Sequence, residues 1–207
     1  MSLMIDHLIV CVGDLVGAAR SFRDRFGLDS VEGGRHPGHG TANRIVPLGD
    51  SYIELVAVVD PSEAEASTFG RWASGRVGST GVVDAVSIRT DDMSALCTRL
   101  DLESTAMSRQ RPDGVELKWS VAGVDLAFEE SLPFFIEWHV PEGQMPGRAD
   151  VVHDREVTGV EEIVLSGERA RMERWTEDVP HIRCVQGAAS VVSVSLATPE
   201  GPLHLDS

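Results

Sequence analysis

MIDHLIV, residues 4–10, is an apolar strand pattern that carries a single His, and SYIELV, residues 51–56, is a second one that carries a single Glu. An ionisable side chain inside an apolar strand is costly unless it is hydrogen-bonded or used in chemistry. His7 and Glu54 therefore mark the place where a site is expected. We predict that the rest of the chain repeats this unit and builds a curved sheet around a pocket that contains both residues.

The first unit, residues 3–58, has the pattern of a strand, a helix and three further strands. Asp14 is a suitable helix N-cap, the apolar residues after it recur at helical spacing, and Gly27 ends the run. The same order recurs over residues 82–139, and a third time over residues 157–207. The sequence therefore predicts an α+β fold of repeated βαβββ modules in curved mixed sheets. We expect one domain over residues 3–140 and a third βαβββ-like module after it.

The repeats also predict which residues correspond between the modules. Matching Asp14 to the next candidate N-cap, Asp92, aligns His7 with Ala85, because both offsets are 78 residues. The closing strands match as Tyr-Ile-Glu at 52–54 against Phe-Ile-Glu at 135–137. Glu137 is therefore the predicted counterpart of Glu54.

Composition and charge exclude some partners. The 207 residues are 42% apolar and 25% charged, and the formal net charge is −15. Nucleic acids and anionic membranes require Lys and Arg to neutralise phosphates, so neither is an expected partner. The three cysteines, Cys11, Cys97 and Cys184, are widely spread in apolar patterns, which favours buried free thiols in a reducing compartment. With no bilayer-length apolar run and no signal pattern, a cytoplasmic location is expected.

Several motifs resemble the glyoxalase-like branch of the vicinal oxygen chelate superfamily. These are DHLIV at 6–10, YIEL at 52–55, HPGHGTANR at 36–44, PLGD at 47–50, RPDG at 111–114 and LPFFIEW at 132–138. The resemblance covers the first two thirds of the chain with specific motifs and the final third only as a pattern. It implies paired βαβββ modules that form an incomplete barrel with a metal or substrate inside.

The resemblance also implies a ligand set. The superfamily takes metal ligands from the first and last strands of two modules, which here gives His7, Glu54 and Glu137. The fourth position falls on Ala85, which cannot bind a metal. One His and two carboxylates suit a divalent ion such as Zn, Fe(II), Mn, Ni or Co.

Each candidate has a plainer alternative. His7 is either a ligand or a core His bonded to a backbone carbonyl, and Glu54 and Glu137 lie either in the pocket or on a solvent face. His36 and His39 lie in a Gly-rich stretch, which either stays on the surface or closes over the pocket, with His39 as a substitute for the missing ligand. We predict substrate contacts from His39, Asn43 and Arg44.

The resemblance implies a metal-dependent lyase, isomerase or dioxygenase for a small oxygenated substrate. The metal would chelate two neighbouring oxygens as a Lewis acid, and Glu54 or Glu137 would move the proton. The alternatives are a metal-free protein that binds or sequesters a small molecule, and a structural protein whose cavity is packed. A homodimer is expected, and the third module either extends the domain or completes a partner subunit.

Overall fold

Module one has the predicted order of one strand, one helix and three strands in the computed structural model, which describes residues 1–77, 83–111, 113–177 and 179–205. The Asp14 carboxylate caps the helix by accepting from the backbone N–H groups of Val16 and Gly17, and Gly27 ends it at a φ of 72°. The elements are β1 (Leu3–Cys11), α1 (Leu15–Phe26), β2 (Val31–His36), β3 (Thr41–Pro47) and β4 (Tyr52–Val58).

Three helices lie outside the simple βαβββ pattern. Two of them, α2 (Pro61–Glu65) and α3 (Thr68–Arg76), form the connector between the modules. Module two then comprises β5 (Ala85–Thr90), α4 (Met93–Leu100), β6 (Ser104–Gln110), β7 (Glu116–Ala122), α5 (Val124–Glu130) and β8 (Phe134–Trp138). Gly123 is the residue immediately before α5. The predicted module starts at residue 82, which lies outside the described residues.

The two modules share one eight-stranded sheet in the order β2-β3-β4-β1-β5-β8-β7-β6. Within each module the first strand pairs in parallel with the last, and β1 pairs antiparallel with β5 to join the two halves. The sheet curls until its edge strands, β2 and β6, contact one another. The predicted α+β fold with curved, nearly closed sheets is confirmed.

A β-bulge interrupts the pairing of β1 with β5. Ile5 lies opposite Ile88 and His7 opposite Ser87, so Asp6 is the extra residue. A bulge breaks the alternation of side chains between the two faces. Asp6 and His7 consequently both face the concave side, although they are neighbours in the chain.

The two faces of the sheet have different cover. On the convex face α1 and α4 pack on buried apolar residues of the central strands, among them Leu8, Leu55 and Ile88. On the concave face α3 and α5 bring Phe69, Trp72 and Phe128 into one stack, with the Trp72 and Phe128 ring centroids 4.4 Å apart. The remaining concave surface encloses the cavity described below.

A second sheet of four strands packs on the convex side. The elements of this unit are, in chain order, β9 (Gly159–Gly167), α6 (Arg169–Thr176), β10 (Ile182–Gln186), β11 (Ser190–Ala197) and β12 (Leu203–His204). The strands lie in the sheet in the order β10-β9-β11-β12. In this unit the first strand, β9, pairs in parallel with the second strand, β10. In modules one and two the first strand pairs in parallel with the last strand of the module instead. The element order thus matches the other modules while the pairing differs. Residue 207, the predicted end of this unit, lies outside the described residues.

Specific contacts fix this second sheet to the first. The Trp175 indole donates to the Pro133 carbonyl at 2.7 Å, and its ring centroid lies 5.7 Å from that of Phe135. In the connector before β9, the two ring nitrogens of His153 bond the Pro47 carbonyl and the Asp29 N–H.

All three cysteines are free, but only Cys11 is buried, while Cys97 and Cys184 are half-buried. In the described ranges no helix has the length and apolarity needed to cross a bilayer.

We predict that Trp175→Ala lowers the free energy of unfolding by about 3–5 kcal/mol, because it removes a buried aromatic ring and leaves the Pro133 carbonyl unpaired. Urea unfolding followed by tryptophan fluorescence and by circular dichroism measures the change. Val192→Ala, at an exposed side chain of β11, is the control and should change stability little. Two separate transitions in the wild type would contradict the joint packing.

Candidate functional site

A cavity of about 640 Å³ lies inside the curved sheet beside His7 and Glu54. Side chains from both modules line it, together with α3 and α5. The polar lining includes His7, His36, His39, Tyr52, Glu54, Glu103, Arg109 and Asp125; the apolar wall includes Phe69, Phe128, Met107, Phe134, Ile136 and Trp138. Such a lining suits a small molecule with an apolar body and a polar head. An open cavity of this size is not the packed interior expected of a purely structural protein.

His7 is held on three sides. Its Nδ1 lies 2.6 Å from Asp6 Oδ1, its Nε2 lies 3.6 Å from Glu54 Oε2, and its ring stacks on Tyr52 with centroids 4.6 Å apart. The Trp138 indole donates to the second Asp6 oxygen at 2.9 Å. Because a carboxylate accepts, the Asp6 contact places a proton on Nδ1 and turns Nε2 towards Glu54 and the cavity.

Glu54 is the charged centre of the site. Asn43 Nδ2 donates to Oε1, which also lies 3.4 Å from His36 Nε2. Burial alone would raise the pKa of the Glu54 carboxyl, but the hydrogen bond and charge of His36, the charge of His7 and the Asn43 amide together lower it to about 2. Glu54 is therefore ionised in the folded protein over the whole physiological range.

The sequence reasoning missed parts of this cluster. The glycines around His36 indicate a loop, yet His36 is the last residue of β2. Its Nδ1 forms a hydrogen bond of 2.9 Å with Thr41 Oγ1. A second bulge, at Gly33, accommodates those glycines within the strand. Asp6 and Tyr52 stand in the motifs quoted for the family, but their roles depend on the β1 bulge and on strand register, which composition does not reveal.

Of the three residues predicted to contact substrate, the structure brings some to the cavity and not others. His39 lines the cavity against Phe69, and burial, followed by the charge of His36, lowers the pKa of its imidazole. Asn43 reaches the site through Glu54, and its buried Oδ1 has no partner in the described residues. Arg44 does not reach the cavity; its guanidinium bonds the hydroxyl and carbonyl of Ser30.

The structure does not bring Glu137 to His7 and Glu54. Phe134, Ile136 and Trp138 face the cavity, so Glu137 faces the other side of the sheet, near Cys97 and Ser120. In module one His7 pairs with Tyr52 and Ile9 with Glu54; in module two Ser87 pairs with Phe134 and Arg89 with Ile136. Between the modules, His7 lies opposite Ser87 and Ile9 opposite Ala85, so the pairing relates His7 to Ala85 and Ile9 to Ser87, as the sequence predicts. Ile9 pairs with Glu54 and Ser87 with Phe134, so the counterpart of Glu54 is Phe134 and not Glu137.

The residues present do not fit the predicted metal centre. Of the four ligand positions that the superfamily uses, only those of His7 and Glu54 carry donors, since Ala85 and Phe134 have none. Across the part of the chain that the structure describes, no three His, Cys, Asp or Glu side chains are grouped to hold a metal ion. The Asp6 and Glu54 carboxylates instead enclose His7 in an arrangement suited to proton transfer.

Comparison with solved structures finds several similar chains. A hypothetical protein from Staphylococcus aureus matches with a TM-score of 0.59 at 17% identity, covering 92% of this chain and 88% of that one. Methylmalonyl-CoA epimerase from Mycobacterium tuberculosis matches with a TM-score of 0.47 at 20% identity, covering 67% of this chain and 89% of the epimerase. The Streptomyces coelicolor epimerase in complex with 2-nitronate-propionyl-CoA has a TM-score of 0.49 at 18% identity, over 67% of this chain and 100% of that one.

Comparison with the curated proteins finds no match. The family model described as "Glyoxalase-like domain" matches residues 5–181, which include both modules of the curved sheet and the start of the second sheet. The resemblance inferred from the motifs is thereby confirmed, and the chain belongs to the glyoxalase-like domain family.

Proposed function

We propose that the protein is an enzyme that moves a proton on a small oxygenated substrate, with His7 as the acid–base group. The observation that carries the proposal is the Asp6–His7 pair, 2.6 Å apart and buried at the wall of an open cavity. Of the reaction types that the family resemblance implies, isomerases and lyases require such a proton transfer. The proposal therefore narrows the expected chemistry to these two types.

The mechanism begins with the unprotonated Nε2 of His7. It takes a proton from a carbon next to a carbonyl group; the C–H electron pair moves into the C–C bond and the carbonyl oxygen becomes an enolate. The imidazolium that forms lies between the Asp6 and Glu54 carboxylates, which stabilise its charge. Return of the proton to the same or a neighbouring carbon completes an isomerisation, and departure of a leaving group completes an elimination.

Tyr52 supplies a hydrogen-bond donor for the enolate. Burial, and then the charges of Asp6 and Glu54, raise the pKa of its phenol well above the usual value, so the hydroxyl keeps its proton at every physiological pH. Tyr52 lines the cavity against the His7 ring, and its hydroxyl has no partner in the described ranges. A neutral donor beside the base is suited to stabilising charge that develops on a substrate oxygen.

The second candidate is a metal-free protein that binds or sequesters a small molecule. The stack of Phe69, Trp72 and Phe128 at one side of the cavity favours it, since aromatic side chains contribute large contact areas without chemistry. The two functions differ in one observable, because only the enzyme exchanges a carbon-bound proton of its ligand with solvent. The homodimer and the cytoplasmic location expected from the sequence stay predictions.

We predict that the wild type catalyses exchange of acidic C–H protons for deuterium in D₂O with at least one member of a panel of 2-oxo acids, 2-hydroxy ketones and hemithioacetals. His7→Gln should lower the exchange rate by roughly 10²–10⁴-fold because it removes the base, and Asp6→Asn should lower it by changing the imidazole tautomer. Proton NMR follows the loss of the C–H signal. His204→Gln, at an exposed side chain of β12, is the control; equal rates in the His7 and His204 variants would refute the assignment.

We also predict that this exchange persists after dialysis against a chelator, because the proposed steps use only side chains. The same NMR assay, run before and after chelation with elemental mass spectrometry of both samples, makes the comparison. Loss of exchange that Zn, Mn, Fe(II), Ni or Co restores would instead support the metal-dependent enzyme implied by the resemblance.

The low pKa of Glu54 predicts an acid-sensitive site. The usual Glu pKa is 4.5 and the folded value is about 2, so the stabilisation is complete above about pH 4.5 and is lost as the pH falls towards 2. It amounts to roughly 3 kcal/mol. Urea unfolding at several pH values should show a steeper acid loss for the wild type than for Glu54→Gln. Glu200→Gln, in an exposed turn, should follow the wild type; parallel curves for all three would contradict the prediction.

A further inference from the structure

Arg109 is a buried cation in the wall of the cavity. Arg109 lies in β6 with only 7% of its surface exposed, and it lines the cavity. Its Nη1 donates to the carbonyl of Gly33, the bulged residue of β2. Arg109 therefore joins the two edge strands and presents a charged group to the ligand space.

The charge of Arg109 is not neutralised within the described part of the chain. There its guanidinium has one hydrogen-bond partner, a neutral carbonyl, and it forms no ion pair with an Asp or Glu. Arg111, two residues along, is instead half-exposed and pairs with Asp113 at 2.6 Å. A buried charge without a counter-ion is unfavourable, so a ligand anion at this position would stabilise the site.

The acidic residues that line the cavity are Glu54, Glu103 and Asp125, and in the described part of the chain none of them forms an ion pair with Arg109. Glu54 is already bonded by Asn43 and lies beside His36 and His7, and Asp6 is occupied by His7 and Trp138. A guanidinium has five N–H donors in a planar fork. With Nη1 directed to Gly33, the remaining donors match the two oxygens of a carboxylate, and one positive charge balances one carboxylate.

We infer that Arg109 binds a carboxylate group of the substrate, so the cavity accepts a small carboxylic acid with an apolar body. This inference rests on the proposed function, since it names the substrate class of the same cavity. The carboxylate contacts Arg109, the apolar body contacts side chains such as Phe69, Phe128 and Met107, and the reacting carbon lies near His7. Arg109 is thus a determinant of specificity and takes no part in the proton transfer.

Matched acid and amide probes test the inference. Phenylacetate, 3-phenylpropionate and hexanoate are compared with their primary amides by ligand-observed NMR titration, and phenyl phosphate is a further anion. In the wild type at least one acid should bind roughly tenfold or more tightly than its amide. Arg109→Gln should abolish this preference, Arg109→Lys should retain part of it, and Arg111→Gln should leave it unchanged.

The ratio of acid to amide affinity separates recognition from structure. If Arg109 only joined β2 to β6, Arg109→Gln would loosen the cavity and weaken acid and amide by the same factor, which would overturn the inference. Three further results with the wild type would also overturn the inference. These are equal affinities for acid and amide, no binding of any acid at concentrations on the order of 10 millimolar, and tighter binding of phenyl phosphate than of every acid.

A failure of the proposed function has a different signature. His7→Gln should keep the acid preference while it loses proton exchange, and Arg109→Gln should shift the substrate concentration needed for exchange more than the rate at saturation. An acid preference without exchange in the wild type would refute the enzyme and leave Arg109 as the anion site of a binding protein. Exchange without an acid preference would refute only the role of Arg109.

Discussion

The bulge at Asp6 is the constraint on which the site depends. Regular pairing of β1 with β5 would turn Asp6 and His7 to opposite faces of the sheet. The extra residue turns both to the concave side, so that a carboxylate and an imidazole from adjacent positions meet at 2.6 Å. Trp138, from the last strand of module two, then fixes the far oxygen of Asp6. The dyad thus requires both modules, although both its members come from β1.

Strand register explains what the sequence predicted well and what it did not. The repeating units, the cap at Asp14 and the importance of His7 and Glu54 follow from local patterns that pairing does not alter. The assignment of Glu137 instead required the register of β8, and a shift of one residue exchanges the two faces of a strand. Phe-Ile-Glu resembles Tyr-Ile-Glu in letters, but Phe134 is the residue that lies where Glu54 lies.

The prediction of a loop around Gly33 and Gly34 was wrong for a similar reason. The stretch around Gly33 and Gly34 has the composition of a loop, yet β2 continues through it by means of a bulge. The strand delivers His36 to Glu54, and the bulged Gly33 offers its carbonyl to Arg109. Neither contact is visible in the sequence, because both join segments whose distance in space is set by the curl of the sheet.

The second sheet allows the concave face to remain open. Isolated βαβββ modules bury one face of the sheet under their helices. Here α6 and the four additional strands extend the convex core through Trp175 and its neighbours, and they increase the apolar area buried on that side. Since this core does not draw on the concave face, that face can keep polar residues and a cavity.

The two modules contribute unequal halves to that cavity. Two corresponding positions hold His7 and Glu54 in module one but Ala85 and Phe134 in module two. The pseudo-symmetric sheet therefore has a reactive side and an apolar side facing each other, with Arg109 contributed by an edge strand. A substrate held between them is oriented by the difference in polarity, because only one end can approach the dyad without burying an unpaired polar group. The same differences between the modules thus leave module two without metal ligands and orient the pocket.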